Sequence, residues 1–256
     1  MIPKTIHYCW FGGKPLPSSA KHCIDSWKRF LPDYNIVEWN ESNFDVNIIP
    51  YTRDAYKDKK YAHVSDYARF YILYHHGGVY FDTDVEVIKP MDSLISLGAF
   101  MGYEKRDYEH GGSHHVAPGL GIASEPKNPL WHSILKKYDS FPDFSLTYGS
   151  VCFILEDCFK EHGIAIDGQM QKTSLVTLYP AEYLCPKSFH DGKMEITPNT
   201  VSIHHYDMSW FGSYSKRETK LIWFFSRFTN NHRATSIAKA INNTLTCTVR
   251  KLRFWR

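Results

Sequence analysis

The run Val79-Tyr80-Phe81-Asp82-Thr83-Asp84-Val85-Glu86-Val87 constrains this chain more than any other stretch. Two carboxylates stand two positions apart between short apolar segments. In a strand, period-two alternation puts Asp82 and Asp84 on one face; at a strand end or tight turn, both can aim at one cation. Hard cations such as Mg²⁺ and Mn²⁺ take oxygen ligands, and Mg²⁺ is usually held by one or two carboxylates plus substrate phosphates. The run therefore predicts a metal–diphosphate site directly after an apolar strand. A D-x-D turn is also an ordinary loop composition, so its surroundings decide between the two.

Those surroundings read as an α/β chain. Thr5 to Phe11 predicts a buried strand ended by Gly12-Gly13, Ser19 to Phe30 a helix stopped near Pro32, and Asn35 to Trp39 a second strand. That order is a βαβ unit, which implies a parallel sheet. Val64 to His76 predicts another helix, with Ser65 as N-cap and Gly77-Gly78 as its C-terminal stop. Asp66 and Arg69 share a face of it. The strand ending in Asp82 follows, and open α/β sheets collect ligands outside the carboxyl ends of their strands. Downstream, Ala99 to Tyr103 predicts a strand, and Glu109 to Gly121 a loop rich in Gly and His. Pro129 to Tyr138 and Val151 to Glu161 predict helices. Short strands near Val176–Tyr179 and Val201–His204 are expected to close the sheet. The organisation expected is one Rossmann-like domain over residues 1–214 and a basic amphipathic helical extension over 215–256.

Composition narrows the class further. A chain of 256 residues can bury a full core. Its 7 Trp, 17 Tyr and 16 Phe exceed what a minimal core needs, and packing accounts for most of them. The six cysteines (Cys9, Cys23, Cys152, Cys158, Cys185, Cys247) form no C-x-x-C or zinc-finger pattern. No signal-peptide pattern opens the chain, and no run of about 18 apolar residues marks a membrane span. A reducing cytoplasm with free thiols is the expectation.

The net charge of +3 hides an asymmetry: residues 216–256 carry ten basic side chains against Glu218 alone. Such a tail, with Trp223, Phe224, Phe225 and Phe228 interleaved, suits an anionic membrane interface. A helical hairpin with a solvated basic face suits it equally. No recognition motif accompanies the charge, so nucleic acid is not an expected partner.

Four segments now line up: Trp10-Phe11-Gly12-Gly13, Ser65-Asp66-Tyr67-Ala68-Arg69, Gly77-Gly78-Val79-Tyr80-Phe81-Asp82-Thr83-Asp84, and His204-His205-Tyr206-Asp207-Met208-Ser209-Trp210. In order and spacing, over roughly residues 2–212, the set resembles sugar transferases of glycosyltransferase family 32. Its D-x-D region is also similar to that of the large clostridial toxin glucosyltransferase domains. The resemblance implies a GT-A type nucleotide-diphospho-sugar transferase fold, a nucleotide-sugar donor with UDP favoured, Mn²⁺ or Mg²⁺, and retention of anomeric configuration. Trp10 matches the aromatic that stacks on the donor base, an interaction typically worth about 1–3 kcal/mol. Asp66 and Arg69 match the pair that holds the donor sugar. Asp84 matches the direct metal ligand, and Asp82 a partner to the ribose or sugar that also reaches the metal. Tyr80 is a neighbour of the diphosphate or sugar. Either His204 or His205 supplies a further metal contact, with His205 favoured, because adjacent residues of an extended segment face opposite ways. Ser209 and Trp210 match a closing loop over the diphosphate.

The sequence assigns no catalytic nucleophile: Glu104, Asp107, Glu109 and Asp167 all read as solvated loop charges. The histidines His110, His114 and His115 read as part of an acceptor loop rather than a metal site. The acceptor implied is a glycan or lipid-linked glycan, within surface or capsular polysaccharide synthesis at the inner face of the plasma membrane. Two rival readings remain. In a phosphohydrolase of the haloacid dehalogenase type, the first Asp of D-x-D is a nucleophile. The other rival is a catalytically inactive protein that binds a sugar nucleotide.

Overall fold

The computed structural model describes residues 1–105, 114–145, 150–209 and 212–254, with side chains to residue 246. The chain divides into two compact units. One comprises Met1–Pro186 and Ile196–His205, the other Lys187–Glu195 and Tyr206–Arg256.

The first unit opens with the βαβ order read from the sequence: β1 (Thr5–Cys9), α1 (Ser18–Phe30) and β2 (Asn35–Trp39). There follow α2 (Pro50–Lys57), α3 (Tyr61–His76), β3 (Gly78–Tyr80), β4 (Val85–Val87), α4 (Asp92–Ile95) and β5 (Phe100–Tyr103). After the described chain resumes come β6 (Val116–Ala117), a 3-10 turn at Pro118–Leu120, β7 (Ile122–Ser124), α5 (Pro129–Asp139) and α6 (Val151–Glu161). The unit ends with β8 (Gln171–Lys172), β9 (Thr177–Tyr179), α7 (Ala181–Leu184) and β10 (Ser202–His204).

The main sheet runs β2-β1-β3-β7-β5-β9-β8, with β6 added beside β5. β1 lies parallel to β2 and β3, β7 runs antiparallel to both β3 and β5, and β9 is parallel to β5. The C-terminal ends of β1, β3 and β5 therefore meet on one edge. The α/β class expected from the sequence is the one observed. Two local expectations differ. β10 does not extend the main sheet but pairs with β4 in a separate antiparallel ribbon, with His204 opposite Val85. Ser65 does not cap α3: the helix starts a turn earlier, and the Ser65 hydroxyl donates back to the Tyr61 carbonyl at 3.1 Å.

Local chemistry explains the elements that matter for the site. α1 buries Ala20, Cys23, Ile24 and Trp27, the i, i+3, i+4, i+7 stripe of an amphipathic helix. α3 is buried on most of its surface, through Val64, Tyr67, Ala68, Phe70, Ile72 and Leu73, and packs on α2, α5 and β1. It stops at Gly77 with φ +64°. At Gly78, φ is +98° and a Cβ would stand 2.6 Å from the Thr5 carbonyl oxygen, so only glycine lets β3 close against β1.

The second unit contains α8 (Ser213–Phe225) and α9 (Asn231–Phe254). Ala234, Ala238 and Asn242, spaced four apart, are fully buried along α9. Asn242 accepts from Arg217 and donates to the Tyr214 carbonyl at 3.1 Å and to Glu218 at 3.3 Å. A buried amide with both ends satisfied fixes the register of the two helices. Trp223 donates to the Phe189 carbonyl at 2.7 Å, and the Lys187 ammonium lies 3.9 Å above its ring.

His7, buried in β1, ties the sheet centre together. Its Nδ1 accepts from the Trp39 indole at 3.1 Å, so its Nε2 carries the proton and donates to the Gly77 carbonyl at 3.0 Å. Burial, only partly offset by the Gly77 bond, pushes its pKa down to about 4. The native state therefore binds this proton less readily than the unfolded chain. The resulting penalty is absent above about pH 6.5 and grows as pH falls towards 4, reaching about 3 kcal/mol. Urea denaturation between pH 7 and pH 4.5 is expected to show this loss of stability. His7→Gln is expected to flatten that slope, since an amide offers the same bonds without titrating.

Candidate active site

The D-x-D segment sits in a turn, not in a strand. β3 ends at Tyr80, and the Val85 N–H returns to the Asp82 carbonyl at 3.1 Å before β4 begins. Helix α1 holds this turn from below. The buried Trp27 indole donates to the Val85 carbonyl at 2.7 Å, and its ring packs 5.3 Å from Phe81. The Ser26 hydroxyl accepts from the Val87 N–H at 2.9 Å. Backbone groups on both sides of Glu86 are thereby pinned, and the direction of the two carboxylates with them.

Arg69 organises the acidic side of the site. It lies one turn along α3 from Asp66 and is only 4% exposed. Its Nη2 is 3.0 Å from Asp66 Oδ1 and 3.3 Å from Asp82 Oδ1, while its Nε donates to the Ser65 carbonyl at 3.1 Å. The Tyr80 ring lies 5.1 Å from the guanidinium carbon, and the Tyr80 hydroxyl donates to Asp82 Oδ1 at 2.9 Å. Burial opposes the charge on Arg69, but Asp82, Tyr80 and Asp66 outweigh it and hold its pKa above the ordinary arginine value. Burial raises the pKa of Asp66, an effect that Arg69 and His63 only partly offset. Burial pushes the pKa of the adjacent Cys9 thiol up to about 12, which leaves it inert as a nucleophile.

The third element is the β4–β10 ribbon. Asp82, Asp84 and His204 bring one ligand atom each within 4.8 Å of the others, the one such group of metal-ligating side chains among the described residues. His204 Nε2 stands 3.1 Å from Asp84 Oδ1. Burial disfavours the charged imidazole, yet Asp84, with Asp82 and Glu104 behind it, raises its pKa. Two carboxylates and an imidazole suit Mn²⁺ or Mg²⁺. Asp66, Asp82 and Asp84 oppose the single guanidinium of Arg69, an excess of negative charge that a dication offsets. The donor set therefore fits the expected ion.

His205, favoured by the sequence reading as the ligand, turns the other way. Its Nε2 meets Glu86 at 2.8 Å, and the far oxygen of Glu86 is 3.4 Å from His22. Side chains alternate along β10, so His204 and His205 face opposite ways and His205 meets Glu86 of β4; Asp84 precedes β4, in the turn, and is not bound by that alternation. Trp10 follows the end of β1, half-buried, with its N–H on the Trp39 carbonyl at 2.8 Å and its indole on the Lys14 carbonyl. Ser209 is exposed in the second unit. Trp210 and His110 lie outside the described residues, as do Asp107 and Glu109.

Gly119, in the 3-10 turn, escaped the sequence reading. Its carbonyl accepts from the Asp82 N–H at 3.3 Å, and a Cβ there would collide with Asp82 Oδ2. The only sequence signal is the spacing Gly119-Leu120-Gly121, whose second glycine has φ +138° and abuts Phe81.

Residues 17–100 match a family model described as a glycosyltransferase sugar-binding region containing a DXD motif. The chain is 25% identical to inositol phosphoceramide mannosyltransferase 1 of Schizosaccharomyces pombe, over 88% of this chain and 69% of that protein. It is 28% identical to mannosyl phosphorylinositol ceramide synthase SUR1 of Saccharomyces cerevisiae, over 55% of this chain and 36% of that protein. Among solved structures, the PaToxG glycosyltransferase aligns over 63% of this chain and 70% of its own, with 20% identity and a TM-score of 0.44. Over the segment that holds Asp66, Arg69, Asp82 and Asp84, the chain is similar to glycosyltransferases of the DXD type.

Arg69 gives the sharpest test of this geometry. Arg69→Ala leaves Asp66 and Asp82 without their shared cation and is expected to cost about 3–5 kcal/mol of stability. Equilibrium urea unfolding measures it. Arg69→Lys, a single point charge in place of a fork, is expected to recover only part of that loss.

Proposed function

We propose that the chain is a metal-dependent, retaining hexosyltransferase. It moves a hexose or N-acetylhexosamine from a nucleotide-sugar donor to a glycan or lipid-linked glycan. The observation that carries this reading is the convergence of Asp82, Asp84 and His204 beside the buried Asp66–Arg69 pair. When bound there, Mn²⁺ or Mg²⁺ supplies a Lewis acid for the diphosphate oxygens of the leaving nucleotide.

The chain's own residues divide the remaining work. Asp66 accepts hydrogen bonds from sugar hydroxyls, while Arg69 holds Asp66 and Asp82 in register with each other. Asp82, one oxygen already bound by Arg69 and Tyr80, offers the other to the ribose or the sugar. Trp10 stacks on the base. The sugar passes through an oxocarbenium-like state, with no carboxylate assigned as nucleophile.

UDP-hexoses are the donors favoured by the sequence, and the names of the fungal relatives add a mannosyl donor such as GDP-mannose. Those names also speak of ceramide lipids, which supports a lipid-borne acceptor. Surface polysaccharide assembly at the inner membrane face is part of this proposal. A dehalogenase-type reading would use Asp82 as nucleophile instead, and phosphate release from simple phosphoesters would favour it.

The test is nucleotide release from UDP-glucose, UDP-galactose, UDP-N-acetylglucosamine and GDP-mannose, with Mn²⁺ and with EDTA. One donor is expected to turn over, and EDTA to abolish it. Asp84→Ala is expected to lose roughly 100-fold or more, beyond the loss typical of an outer-shell partner. His204→Ala is expected to fall further than His205→Ala. Turnover of no donor, or full activity in Asp84→Ala, overturns the proposal.

A further inference from the structure

The α8–α9 hairpin carries a feature that sugar transfer does not use. At its turn, Phe228 is 74% exposed and Phe224 is 52% exposed, with their ring centroids 5.5 Å apart. Phe225 adds a third ring 5.2 Å from Phe224. Large aromatic side chains held this far into water, in tilted and edge-on contact with one another, form a contiguous apolar tip. Exposed Lys220, Arg227, His232 and Arg233 flank it along α8, the turn and α9. The hairpin's acidic side chain, Glu218, is turned to the buried Asn242, and Arg217 is bound to the same network. Within α8, α9 and the turn between them, the exposed charged side chains nearest the turn, Lys220, Arg227 and Arg233, are thus all basic.

An apolar tip flanked by exposed basic side chains fits a surface that is anionic outside and hydrocarbon within. Aromatic rings settle at the boundary between headgroups and acyl chains, and each Lys or Arg close to the surface adds electrostatic attraction. A second copy of the tip would face it with like charge, which argues against self-association. We propose that the α8–α9 turn is a membrane-docking element. Phe224 and Phe228 insert into an anionic bilayer, while Lys220, Arg227 and Arg233 engage its lipid headgroups. No helix among the described residues is long and apolar enough to cross a membrane, so the attachment is peripheral.

The experiment is co-sedimentation of the full chain with vesicles of phosphatidylcholine alone and with 30 mol% phosphatidylserine added, a composition of roughly physiological negative surface potential. Binding is expected only with phosphatidylserine and is expected to weaken at high salt. Phe224→Ser with Phe228→Ser is expected to reduce partitioning on the order of tenfold. Arg227→Glu with Arg233→Glu is expected to reduce it by a similar factor or more. Phe228→Ser alone, at the more exposed ring, is expected to show a smaller loss and keeps the test valid if the double variant unfolds. Asp84→Ala is expected to bind vesicles like the wild type, which separates this result from the fate of the transferase reading. Three outcomes overturn the proposal. The wild type fails to bind the anionic vesicles, folded variants bind them as well as the wild type, or the Phe variants change the oligomeric state while leaving vesicle binding intact.

Discussion

A buried guanidinium shared by two carboxylates underlies the arrangement of this site. Arg69 comes from a helix and Asp82 from the turn after a strand, so their contact ties α3 to the edge of the sheet. Taking three charges out of water is costly, and only close pairing with further hydrogen bonds recovers the cost. Here the Ser65 carbonyl and the Tyr80 hydroxyl supply those extra bonds. The result is a carboxylate pair whose positions are set by protein rather than by ligand, which is what preorganisation requires.

The two-stranded ribbon and the turn before it set the other half of the site. His204 and His205 differ by one position, and that position decides which of two acidic partners each one meets. Asp84 and Glu86 differ by two, yet they are served by different histidines, because Asp84 belongs to the turn and Glu86 to the strand proper. The ribbon and its turn thus sort four titratable side chains into two pairs, His204 with Asp84 and His205 with Glu86.

Much of the fold was legible because its signals are local. The β1–α1–β2 unit follows from the apolar stripe of α1 and the Gly12-Gly13 break, and Gly77-Gly78 marks the start of β3, although that strand ends at Tyr80 rather than at Asp82. The site was legible where sequence spacing and side-chain chemistry coincide, as at Asp66, Arg69, Asp82 and Asp84. It was not legible where long-range pairing decides. The choice between His204 and His205 depends on the β10 register against β4, which no local pattern encodes. Gly119 matters only because its loop folds back onto Asp82. The start of α3 was misplaced because Ser65 resembles a cap, whereas its hydroxyl bonds back within the helix.

The α1 anchor carries a consequence for how variation in this protein will read. Trp27 and Ser26 touch no donor and lie more than fifty positions before the segment they hold, yet they fix the backbone at Val85 and Val87. A substitution in this helix will shift the carboxylate turn before it unfolds the sheet. In a screen for activity, such positions will score with the binding residues while behaving in a stability screen like ordinary core. Reading the two screens together will separate scaffold from chemistry more cleanly than distance from the substrate does.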